Sequence, residues 1–229
     1  MSEGAYPPES VGETPPGSAT LVLVRHGESR WNAAGVLQGQ LCEGLSEHGR
    51  LQAAAVAEYL VKAHGDATLI ARSDIDRVAQ TAAPAEERLG LQVLIEPRLR
   101  EIDLGSWSGR PRAEVLAEHH AELMGWLRCE DVRAGGSGET LTELRERVWA
   151  AMEDLGDRLA GEGGGSAILF THGGPVRTTT AAVLGLPPGA ERRIQPVRNG
   201  SVTVVRRDPD GAGGHEWRLV AYNRADHLP

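Results

Sequence analysis

The chain has 229 residues, 40% of them hydrophobic and 24% charged, which is ordinary for a soluble α/β protein of one sizeable domain or two small ones. Its formal net charge of −8 excludes a broad basic face, so neither nucleic acid nor an anionic membrane is an expected partner, and an anionic ligand needs a local cationic pocket. No apolar run approaches the ~18 residues of a membrane helix, and two cysteines, Cys42 and Cys129, in neither a CxxC nor a metal-ligand spacing fit reduced thiols and a cytoplasmic location.

Residues 1–18 are rich in proline and glutamate and lack the basic start and apolar middle of a signal peptide. They read as a disordered head, leaving 19–229 as the folded domain. Residues 19–24 (ATLVLV) form a short apolar run, as expected of a strand covered on both faces. A helix is predicted over 46–64, with Ser46 as N-cap and Gly65 as stop. Its expected buried face carries Leu51, Ala55, Val56, Tyr59, Leu60 and Ala63. A strand over 67–71, a helix over 75–89, a Gly90 stop and a strand over 91–95 follow. Residues 101–112 read as loop, 112–128 as one helix with a weak stripe, and 134–138 as a glycine-rich break.

Thr140 and Glu143 have the spacing of a capping box, and the helix behind them carries an apolar stripe of Leu141, Leu144, Val148, Ala151, Leu155 and Leu159. A strand over 166–171 and a helix to about 184 come next, then an edge hairpin from 201–206 and 216–221. Strands alternating with helices predict a three-layer α/β/α sandwich around a mostly parallel sheet with an antiparallel edge.

Two apolar strands end alike, in Arg25-His26-Gly27 and in His172-Gly173-Gly174. Ligands of open α/β sheets bind beyond the carboxyl ends of the strands, so the two histidines are candidates for one site. The Gly173 and Gly174 amides, opening a helix, suit an anion. A lone histidine after a strand is usually inert, and these residues by themselves do not name a reaction.

Further segments do. Arg25-His26-Gly27-Glu28-Ser29 with Trp31-Asn32, Leu45-Ser46-Glu47-His48-Gly49, and Ser73-Asp74-Ile75-Asp76-Arg77 come first. Leu99-Arg100-Glu101-Ile102-Asp103-Leu104-Gly105 and Thr171-His172-Gly173-Gly174 follow. Together, in this order, they resemble the signature of the histidine phosphatase (phosphoglycerate mutase-like) superfamily, branch 1. The resemblance implies a phosphomonoester hydrolase working through a phosphohistidine on a small phosphorylated metabolite, without metal or cofactor. It implies His26 as nucleophile, Arg25 and Arg77 as clamps on the phosphoryl oxygens and His172 as a further donor, best if protonated. Glu101 would be the general acid, with Asn32, Gly173 and Ser29 as substrate contacts.

The alternatives are a zinc hydrolase on the two histidines and Glu101, a phosphoglycerate mutase, and a binding module without chemistry. Two fixed arginines would repel a divalent ion. The short 109–138 segment, expected to cap the site, and the Arg100-Glu101-Ile102-Asp103 loop differ from the long basic insertion and acid loop of mutases. His119-His120 beside Glu118 reads as exposed helix surface rather than a metal site. Trp31, Trp107 and Trp126 are candidates for the site's mouth, with packing as the default. Arg72 is either a cation at the rim or turned away. The physiological substrate and the oligomeric state, a homodimer included, stay open.

Overall fold

A computed structural model of the chain describes residues 14–128 and 130–229, so Cys129 and residues 1–13 of the expected head lie outside the described residues. Ser18, the last residue of that head, is buried, and its hydroxyl donates to Asp208 Oδ1 at 2.7 Å.

The elements run β1 (Ala19–Arg25), α1 (Arg30–Ala34), α2 (Glu47–Ala63), β2 (Leu69–Arg72), α3 (Asp76–Leu89) and β3 (Val93–Ile95). They continue with α4 (Arg112–Glu118), α5 (His120–Leu127), α6 (Leu141–Gly161), β4 (Gly165–Thr171), α7 (Gly173–Val183), β5 (Val202–Pro209) and β6 (His215–Arg224). The six strands form one sheet in the order β3-β2-β4-β1-β5-β6. The pairs β3-β2, β2-β4 and β4-β1 are parallel; β1-β5 and β5-β6 are antiparallel, so the hairpin at the edge is as the alternation predicts.

Strand periodicity sorts the core into two layers. Leu21 and Leu23 of β1 face the layer built with Leu144, Val148 and Met152 of α6 and Val176 of α7. Val22 and Val24 face the other layer, with Val56 and Leu60 of α2 and Val78 and Ala82 of α3. Burial of both faces is what a continuous apolar strand requires. The capping box at Thr140 forms with both its bonds, and Gly90 ends α3 in the left-handed region at φ 63°.

Four expectations need correction. The buried face of α2 is Gln52, Ala53, Val56, Ala57 and Leu60, while Leu51 and Ala63 are exposed. The many alanines on both sides make the apolar face ambiguous, and the close docking of Gly49 on the first turn sets the rotation: a Cβ there would collide with Glu28 O. Its stop is His64, not Gly65. Residues 112–128 form two helices broken at His119 (φ −126°, ψ 41°), since only Val115, Leu123 and Gly125 are buried and so little apolar area does not hold one axis. β2 and β3 are shorter than their apolar runs.

Candidate active site

The parallel register of β1 on β4 pairs Val24 with Phe170 and Arg25 with Thr171. The next residue of each strand, His26 and His172, therefore leaves the sheet side by side. Their ring centroids lie 5.2 Å apart, and both rings are buried. From β1 the chain goes to β2 on one side of the β4-β1 pair, and from β4 it goes to β5 on the other, so this pair is the sheet's switch point, where a crevice opens.

The turn after β1 fixes the first ring. His26 Nδ1 donates to Gly27 O at 2.7 Å, and Gly27 N donates to Thr81 Oγ1 at 2.9 Å. A Cβ at Gly27 would lie 2.5 Å from Gly49 O, so only glycine lets this turn press against α2. With the proton on Nδ1, Nε2 carries the lone pair, and it accepts from Arg77 Nε at 3.1 Å. Burial, then the charges of Arg77 and Arg25, hold the His26 pKa well below its ordinary value, so the ring is neutral.

Arg77, on the first turn of α3, is 1% exposed. Its Nη1 donates to Leu41 O and its Nη2 to Gly39 O, both at 2.7 Å, and Nη2 also lies 3.0 Å from His172 Nδ1. His172 is thereby an acceptor at Nδ1 and donates from Nε2 to Ser73 Oγ at 3.1 Å. Burial first, and then Arg77, His26 and the other arginines, lower its pKa well below the usual histidine range. The expected protonated donor is therefore a neutral ring in this state. Arg25 donates from Nη1 to Val197 O, while its buried Nε has no partner among the described residues.

Glu101 Oε1 accepts from Ile102 N at 3.0 Å and from Gly174 N at 3.1 Å. A Cβ at Gly174 would collide with that oxygen, so the second glycine of the pair is a seat for the carboxylate. The first glycine, Gly173, lines the cavity beside Arg25.

These groups surround a cavity of about 300 Å³ lined by Arg25, His26, Asn32, Arg77 and Glu101, with Trp126 and Leu144 on its far wall. His172 stands behind Arg77 without lining it. Ser29 is a correction: fully buried, it caps α1, accepting from Asn32 N and donating to Gln38 Oε1, and it is not among the residues that line the cavity. Trp126 does line the cavity, from the expected cap, whereas Trp107 is core. Arg72 turns away to Glu86 at 2.8 Å. A larger groove of about 510 Å³, bounded by Trp107 and parts of the 119–136 segment, holds none of the candidate catalytic or substrate-contact residues.

Two positioning residues were not legible. Arg147 of α6 donates to Arg98 O, Arg100 O and Glu101 O and pairs with Glu139 at 2.6 Å, locking the acid loop. Asn199 Nδ2 donates to His26 O at 3.0 Å and Asn32 Oδ1 at 3.2 Å. The Asn199-Gly200 dipeptide, a turn signal ahead of β5, was the only hint of the second; Arg147 is one arginine among many.

The two neutral rings have a consequence for stability. Below the unfolded pKa of about 6.5 the unfolded chain takes up protons that the native rings refuse, so stability falls as pH falls from there toward the depressed native values. Each ring adds a slope of about 1.4 kcal/mol per pH unit. Urea unfolding at pH 7 and 5.5 should show wild type losing more than His26→Asn/His172→Asn; equal losses would refute the neutral assignment.

A family model for the histidine phosphatase superfamily (branch 1) matches residues 21–223. A glucosyl-3-phosphoglycerate phosphatase of Mycolicibacterium vanbaalenii is 34% identical over 214 residues, 89% of this chain and 93% of that protein. A probable phosphoglycerate mutase of Yersinia enterocolitica is 36% identical over 210 residues, covering 91% and 94%. A solved mycobacterial glucosyl-3-phosphoglycerate phosphatase with bound vanadate superposes with a TM-score of 0.81 at 33% identity, over 90% of this chain and 99% of that one.

Proposed function

The chain belongs to the histidine phosphatase superfamily, branch 1, and we propose that it hydrolyses phosphomonoesters of a small metabolite through a phosphohistidine on His26. The observation that carries this is the neutral His26 ring, its Nδ1 proton tied to Gly27 O and its Nε2 facing a cavity flanked by Arg25 and Arg77. Phosphoryl transfer needs an in-line nucleophile and positive charge on three equatorial oxygens, and little else.

In the first step Nε2 forms a bond to phosphorus while the ester P–O bond breaks. The Arg77 Nε–H passes from Nε2 to a phosphoryl oxygen, and the unpartnered Arg25 Nε–H takes another. Glu101, held by Gly174 N, delivers a proton to the leaving alkoxide. In the second step water attacks phosphorus, Glu101 takes its proton and the P–N bond breaks. The dianion favours a proton on His172, which would then supply a further donor. The two guanidinium groups carry the role that a metal has elsewhere, and the reaction is proposed to proceed without one. A cytoplasmic setting is proposed from free Cys42 and the composition. No helix among the described residues is long and apolar enough to cross a membrane.

The Yersinia relative keeps a mutase in view. A mutase must also hold a second anionic group. Beyond Arg25 and Arg77, the cation lining the cavity among the described residues is Arg177, whose Nη2 already donates to Glu191 O at 2.6 Å. Hydrolysis is the better fit. With EDTA present, a phosphomonoester panel should give inorganic phosphate, and bisphosphoglycerate-primed 3-phosphoglycerate should not isomerise. Isomerisation as fast as phosphate release would overturn the assignment.

A further inference from the structure

Beside Glu101 the cavity adjoins a smaller annexe of about 80 Å³. It shares Trp126, Leu141, Leu144 and Arg177 with the main cavity and is closed by Glu191. Nothing in the phosphoryl chemistry uses these residues.

The annexe combines flat apolar walls with three unmet polar needs, one of them the buried Nε1–H of Trp126 and the other two a charged pair. Glu191 is 3% exposed, and its Oε2 has no hydrogen-bond partner among the described residues; Oε1 reaches Arg145 at 3.5 Å. Arg177 Nε is likewise buried without a partner. A buried carboxylate oxygen and a buried guanidinium N–H left unpaired each carry the desolvation penalty of the group with nothing to offset it. A group that relieves both must donate to one and accept from the other. An anion would satisfy Arg177 and meet Glu191; a cation would do the reverse. A neutral hydroxyl pair serves both.

Resting on the phosphatase reading, we infer that the annexe takes the hydroxylated edge of a neutral ring in the leaving alcohol, a sugar or cyclitol, with the ring's C–H face on Trp126. Trp126 lines both spaces, so a ring against it joins the phosphoryl end to the annexe. Aromatic faces offer flat apolar area at small entropic cost, and the few polar groups of a pocket set orientation.

The test compares kcat/KM for glucose 6-phosphate with that for cyclohexylmethyl phosphate, a ring of similar size without hydroxyls, and uses p-nitrophenyl phosphate as a minimal ester. Wild type should prefer the hydroxylated ring by about tenfold or more. In Glu191→Leu the preference should shrink to within about threefold of parity, as expected when a buried acceptor is removed. Equal turnover of the two ring esters by wild type overturns the annexe assignment and leaves the phosphatase reading standing. So does a preference that survives in Glu191→Leu, or turnover of the minimal ester alone. The wild-type comparison needs no variant to fold. Failure of all three esters would instead sink the phosphatase reading itself.

Discussion

His26→Ala is expected to lower phosphate release by about 10⁴-fold or more, the loss typical when a covalent nucleophile is removed. The structure leaves no substitute at that position. His172 stands behind Arg77, its Nδ1 engaged by Arg77 and its Nε2 by Ser73. Glu101 is seated on Gly174 N. Direct attack by water would use the same arginines and could account only for the small residue of activity. The matching readout is a rapid acid quench with phosphorus-labelled substrate: wild type should carry an acid-labile label that the variant lacks. Because the ring is buried and neutral, its loss removes no ion pair, and the variant should melt as a folded protein. Turnover by His26→Ala equal to wild type would end the proposed mechanism.

Arg77→Lys, conservative in charge, is expected to lower kcat/KM by about 10² to 10³, the cost of losing an aligned donor to transition-state charge. A guanidinium fork reaches His26, His172, Leu41 O and Gly39 O from one side chain, and an ammonium is a point charge that cannot. The buried Gly39 O would lose its donor at about 1–3 kcal/mol, and the part-buried Leu41 O would turn to water at smaller cost, so the melting temperature should fall as well. Vanadate inhibition separates the two effects. If Arg77 grips the phosphoryl group, vanadate should bind more weakly in step with the lost kcat/KM. Retained vanadate affinity with a lowered melting point would make Arg77 a scaffold residue only.

Much of this site could be read from local sequence, because its pieces are local. A strand of Val and Leu ending in histidine and glycine, a capping box at Thr140 and Glu143, and Gly90 past the end of a helix each follow from the conformations those residues permit. The order of the five motifs carried the family. What local pattern could not give was the rotation of α2, where alanines line two faces and contact with the 27–28 turn decides. Nor could it show that Ser29 spends its hydroxyl on a helix cap, since a serine after a strand looks the same whether it meets a ligand or a backbone N–H.

The chain by itself thus determined that His26 and His172 leave strand ends and that two arginines and Glu101 accompany them. Only the tertiary structure decided that Arg25 and Thr171 stand in register, which makes the two rings neighbours, and that Arg77 spans both. It also set Arg147 under the acid loop and joined Trp126 of the cap to Arg177 and Glu191. Strand register and helix docking are fixed by pairing between residues as much as 146 positions apart in β1 and β4. The protonation state follows from them too, since burial and the convergence of cations, rather than any neighbour in sequence, hold the two histidines neutral.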